Sequence, residues 1–215
     1  MNEGVRVGVI CALALWFALI EIEIEGPHGW ALRLPTWFRT RGPAGGIYGA
    51  LSGGKPLTGY HLFMASLPLV ILHLPFGYGA DWSLEAEVMV LAVYPVFAIA
   101  WDYLWFILNP AYGLRRFRRG EVWWYHGPWI GRLPYEYYAA VAASFALAAI
   151  AWPLGAGAGA LAEQGRLVGG LALLCLVAMA AAPAYGRWYR WMRRPEADEH
   201  EAVAAAVAER ERPPS

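Results

Sequence analysis

The chain has 215 residues, 59% of them hydrophobic and 16% charged, and its mean hydropathy is +0.36. Soluble domains average roughly 45–50% apolar and 25% charged, so disorder is excluded over most of the length. Two cysteines, Cys11 and Cys175, both in apolar runs, give no disulfide framework. Equal numbers of basic and acidic residues, 17 of each, give no electrostatic argument for nucleic acid as a partner. The composition is that of an integral membrane protein.

Five stretches approach the roughly 20 apolar residues a membrane helix needs. They run over approximately 5–25, 60–76, 84–108, 135–154 and 166–186. The expected fold is therefore all-α: a polytopic five-helix bundle forming one transmembrane domain over 1–195. A cytoplasmic tail over 196–215, a short surface helix and then a disordered end, follows it. Charge placement supports the count independently. Five crossings put Arg33, Arg39, Arg41 and Lys55, the arginines of the third loop and those of the tail on one side. Only Arg6 and Arg166 fall on the other. Basic loops stay cytoplasmic, which predicts an outside N-terminus and an inside C-terminus in a cell membrane of bacterial inner-membrane type.

Nine of the twelve tryptophans fall at or near the inner interface, more than an aromatic belt requires. They predict an aromatic-rich cytoplasmic cap built from the first and third loops. At the outer side, Ser83 or Asp81 is placed to cap the third span, and the GAGAGA run at 155–160 reads as a flexible connection. Ala139, Ala142, Ala143 and Ala146 give small-xxx-small spacing for packing the fourth span.

Ionisable groups inside a membrane are costly and point to function. The first span ends in Glu21, Glu23 and Glu25, followed by Gly26 and Pro27. Glu21 and Glu25 share a helix face, repelling each other and the C-terminal dipole, and call for a metal ion, an arginine or a shared proton. His61 in T-G-Y-H and Asp102 in W-D-Y-L-W fall at the same level, with His28 and His126 in adjoining loops. Glu21, Glu25, His61, Asp102 and His28 are the expected metal ligands, and Asp102, His126 and His28 the expected catalytic groups. Carboxylate and imidazole donors suit iron, zinc or manganese. The spacing Glu25-x-x-His28 matches half of a di-iron motif, but Pro27 interrupts it and no second copy exists. Arg115, Arg116, Arg118 and Arg119 are expected to serve either as topology signals beside anionic lipid or as clamps for a substrate headgroup.

These residues predict a divalent-metal-dependent membrane enzyme acting on a lipid, isoprenoid or other hydrophobic small molecule. The alternatives are a non-catalytic subunit or assembly factor of a membrane complex, and a small cation or proton transporter. Membrane lipids are the expected surroundings, and a homo- or hetero-oligomer is compatible with the sequence.

Overall fold

A computed structural model describes residues 2–193 and Ala202; the expected tail otherwise lies outside the described residues. Five helices are long and apolar enough to cross a membrane. They are α1 (Glu3–Glu25), α3 (Gly59–Gly77), α4 (Leu84–Leu108), α5 (Tyr135–Ala151, continued by one π turn over Trp152–Ala156) and α6 (Gly159–Met192). A shorter helix, α2 (Gly42–Leu51), lies in the first loop. Two antiparallel ladders of two residues per strand complete the chain: β1 (Phe38–Arg39) with β2 (Leu57–Thr58), and β3 (Trp129–Ile130) with β4 (Leu133–Pro134). The all-α expectation therefore holds for the bundle, while the two connections at the Glu25 end carry extra structure.

Asn2 caps α1, its side chain accepting from the Gly4 N–H at 2.9 Å. Of the two candidates for α4, Ser83 is the cap, accepting from the Ala86 N–H at 3.1 Å, with Glu85 and Glu87 in the positive first turn. Helix α4 is the centre of the bundle and packs against α1, α3, α5 and α6. Its buried face includes Val93, Val96, Phe97, Trp101 and Leu104. Phe17 of α1 meets Phe97 and Trp101 edge-on, with ring centroids 5.8 and 5.1 Å apart. The other face of α4 meets α5 and α6 through Ser144 and Gln164. Ser144 Oγ donates to the Ala92 carbonyl at 2.8 Å, and Gln164 Nε2 donates to the same carbonyl at 3.3 Å and to Ser144 Oγ.

That polar contact explains two departures from expectation. The Ala139, Ala142, Ala143 and Ala146 stripe is half-buried at none of its positions but exposed, and Tyr137, Ser144, Ala148 and Ala151 face the core instead. A buried hydroxyl needs a partner more than an alanine needs contact, so Ser144 sets the rotation of α5. Helix α6 begins seven residues before the expected 166, because the Gln164 Nε2 finds acceptors inside and Glu163 and Arg166 pair with Arg6 and Glu3 of α1. The GAGAGA run is accordingly a tight packed turn: Gly155 has φ +133°, and a Cβ there would stand 2.6 Å from Glu85 Oε2.

At the opposite end of the bundle, the segment between α4 and α5 folds back as an aromatic cluster. Phe106 and Phe117 lie 4.2 Å apart by centroid, with Trp105, Tyr112, Trp124 and Tyr125 around them. Asn109 ends α4 and is 2% exposed. Its Nδ2 donates to the Gly26 carbonyl at 2.7 Å, and its Oδ1 accepts from the Ala111 and Tyr112 N–H groups. The end of α1 is thereby pinned to the end of α4.

The seam of Ala92, Ser144 and Gln164 predicts a measurable contribution. Gln164→Ala should lower stability by about 1–2 kcal/mol in a detergent unfolding titration. Gln164→Leu should cost less, because it also removes the buried, unpartnered Oε1.

Candidate metal centre and adjoining cavity

Helix α1 ends with Glu21 and Glu25 on its inner face, 8% and 7% exposed, while Glu23 points outward to Arg193 at 2.8 Å. Pro27 prevents continuation, and Gly26 (φ 58°) turns the chain back across the helix end. Trp30 and Ala31 then both adopt left-handed conformations, φ 48° and 52°. Each such non-glycine residue costs roughly 1–2 kcal/mol. The returns are visible: the Ala31 N–H donates to Glu25 Oε1 at 2.5 Å, and Trp30 Nε1 donates to the Pro56 carbonyl at 3.0 Å. The Trp30 ring also stacks on His61 at 3.9 Å with a 14° interplanar angle. Gly29 (φ 63°) lies against Trp124, where a Cβ would stand 2.3 Å from the indole.

His61 enters from α3. Thr58 caps that helix, its Oγ1 accepting from the His61 N–H at 3.0 Å. The same Oγ1 lies 2.8 Å from His61 Nδ1. With the proton on Nδ1, the Nε2 lone pair faces Glu25 Oε1 at 3.6 Å and Glu21 Oε1 at 4.0 Å. These separations are too long for direct hydrogen bonds. Bonds of ~2.0–2.2 Å to a shared ion place neighbouring ligand atoms roughly 3–3.5 Å apart, so a small inward movement would seat one. One ligand atom from each of Glu21, Glu25 and His61 lies within 4.8 Å of the others, and all three residues are buried. Two hard carboxylates and one imidazole suit iron, zinc or manganese. Thr58 supplies the outer hydrogen bond that orients such a histidine.

Beside this group lies a cavity of about 210 Å³, lined in part by Glu21, His61, Trp30 and Trp101. Asp102 lies in its wall but outside the three-residue group. Its Oδ2 accepts from the Tyr125 hydroxyl at 2.8 Å and from the Tyr137 hydroxyl in a short contact. Burial, reinforced by the Asp102 charge, holds the Tyr125 phenol well above the usual range, so Tyr125 is a donor. Lys55, from the first loop, faces the same cavity, with Nζ 4.0 Å from the Tyr125 ring centroid and 4.8 Å from that of Trp30. Burial pushes its ammonium below the usual lysine range, while Asp102, Glu136 and Glu21 draw it back up.

Other expected site residues stand apart. His28 is half-buried beyond the turn at Gly26 and His126 is exposed; neither lines the cavity. Pro27 removes His28 from the helical face that carries Glu25. Arg115, Arg116, Arg118 and Arg119 are exposed and away from the cavity. Arg116 covers the Tyr112 ring at 4.1 Å, and Arg118 pairs with Glu121 at 3.2 Å. Sequence reasoning missed the roles of Thr58, Lys55, Tyr125 and Tyr137. Thr58 had a readable signal, a capping hydroxyl three residues before His61. Lys55 had another, as the single lysine among sixteen arginines.

Two substitutions probe this geometry. Thr58→Val should weaken metal binding by roughly 10–100-fold, measured by competition with a chelator, through loss of His61 orientation. Gly29→Ala should cost about 2–4 kcal/mol in thermal unfolding, from the left-handed φ and the overlap with Trp124.

No family model, curated protein or solved structure matches the chain.

Proposed function

We propose that this protein is a multi-pass integral membrane enzyme with a divalent metal held by Glu21, Glu25 and His61 at the cytoplasmic interface. Its substrate is a lipid, isoprenoid or other hydrophobic molecule. The observation that carries this reading is the convergence of three buried ligand atoms within 4.8 Å beside a cavity. Two buried carboxylates without a bound cation nearby are expensive, and a divalent ion is the economical partner for a Glu–Glu–His set.

When bound, the ion supplies Lewis-acid polarisation or an activated water. The chain's own groups do the rest. Trp30 and the aromatic cluster screen the site from bulk water. Asp102, fixed by two phenols through Oδ2, keeps Oδ1 to take or return a proton at the substrate. Lys55 places positive charge across the cavity from it.

The orientation rests on the basic loops lying at the end that carries this site. A cation path is less well supported. A second cavity, about 420 Å³, lies between α1, α3 and α4 near Arg6 and Glu163. The packed rings of Phe17 and Phe97 stand between the two cavities along α1 and α4.

Elemental analysis of detergent-purified protein should find close to one transition-metal ion per chain, and Glu21→Gln with Glu25→Gln should abolish it without unfolding the bundle. Protein that stays metal-free after incubation with zinc, manganese and iron would remove the enzyme reading. Cysteines introduced at Asn2 and Ser215 should be labelled from opposite sides of the membrane.

A further inference from the structure

The cavity pairs two polar groups that do not reach each other. Among the described residues, no carboxylate lies within 4.0 Å of Lys55 Nζ; its contacts are the faces of Trp30 and Tyr125. Asp102 lines the same cavity and accepts from two phenols through Oδ2, while among the described residues its Oδ1 receives no hydrogen bond. Lys55 can only donate, and an ionised carboxylate can only accept. The group that completes both is one that accepts from the ammonium and donates to the carboxylate, namely a hydroxyl.

Charge selects in the same direction. Glu21, Asp102 and Glu136 line the cavity against the single Lys55, so an added anion would be repelled and a neutral oxygen would not. The surroundings define the remainder of the ligand. Ile99 and Tyr137 line this cavity and also a third one, about 150 Å³, between α4, α5 and α6. That third cavity is bounded by Val96, Val141, Leu171 and other apolar side chains. The Trp101 indole lines the polar cavity beside Glu21, adding an aromatic wall to it.

We propose that the cavity binds an apolar alcohol, its hydroxyl bridging Lys55 Nζ and Asp102 Oδ1 and its hydrocarbon running past Ile99 and Tyr137. The inference names the substrate class for the site described above and rests on that cavity, but not on the ion. Asp102 is then the acceptor of the hydrogen bond from the hydroxyl, with Tyr125 and Tyr137 as positioning residues. Lys55 is the specificity residue. Its replacement by arginine would not be neutral, because the planar guanidinium is longer and lies differently against Trp30 and Tyr125.

The test uses the full chain in nanodiscs and radiolabelled 1-tetradecanol, with its methyl ether and the parent hydrocarbon as probes. The alcohol should bind tighter than the ether, which can accept from Lys55 but gives Asp102 nothing, by roughly tenfold or more. Lys55→Met should bring the ether to the level of the hydrocarbon and weaken the alcohol, which still donates to Asp102. Asp102→Asn, which keeps the shape and can turn an amide N–H to the ligand, should erase the alcohol-over-ether preference. Tetradecanoate should bind more weakly than the alcohol. Equal binding of alcohol and ether to the unaltered protein, no binding of either, a preference that survives Asp102→Asn, or ether binding unchanged in Lys55→Met would overturn the inference. So would a preference explained by water alone, with tetradecanol failing to displace the hydrocarbon. Repeating the titration after chelation separates the two proposals. A preference that persists in metal-free protein leaves this inference standing if the metal reading falls, and a metal-loaded protein without the preference does the reverse.

Discussion

The interaction on which the site end of the molecule depends is the burial of two like-charged side chains, Glu21 and Glu25, one helical turn apart at the C-terminal end of α1. That position is unfavourable twice over, through mutual repulsion and through the negative end of the helix dipole. The surrounding structure is arranged around this cost. Asn109 ties the end of α4 to Gly26, the Ala31 N–H is delivered to Glu25, and His61 is turned toward both carboxylates. The left-handed backbone at Trp30 and Ala31 belongs to the same arrangement. Strain of this kind persists where the environment over-determines it, and such places concentrate at functional sites.

Beside that constraint stand two groups of side chains with different chemistry. One is a set of hard oxygen and nitrogen donors, Glu21, Glu25 and His61. The other is Lys55 with an Asp102 carboxylate already committed to two phenols on one oxygen. Both stand among aromatic rings, where a charge acts more strongly than it would in water. Helix α3 brings His61 to the first group yet packs against the bundle chiefly through α4, aided by the Tyr94 hydroxyl donating to the Ala65 carbonyl at 2.8 Å.

The five long helices were legible because a span needs length and apolarity, and both are properties of sequence alone. The boundaries of α4 coincide with the expected 84–108, where Ser83 and Asn109 mark its ends. Rotation about the helix axes was less legible. The alanine spacing on α5 suggested one packing face, whereas the single hydroxyl of Ser144 selected another. At the site, the i, i+4 acidic pair and His61 could be read from spacing. The meeting of Lys55, Tyr125 and Tyr137 at one cavity could not, because it depends on the tertiary course of the two connections and on the rotation of α5. His28 stands outside the Glu21, Glu25 and His61 group for a local reason: it is near Glu25 in sequence, but Pro27 turns it off the helical face.

We propose that Glu21, Glu25 and His61 share one metal ion. X-ray absorption spectroscopy of zinc-loaded, detergent-purified protein tests it most directly. The expected spectrum has an inner shell of oxygen and nitrogen at about 2.0–2.2 Å, with outer-shell scattering from a single imidazole that disappears in His61→Ala. Sulfur in the inner shell, two or more imidazoles, or a spectrum unchanged by that substitution would contradict it.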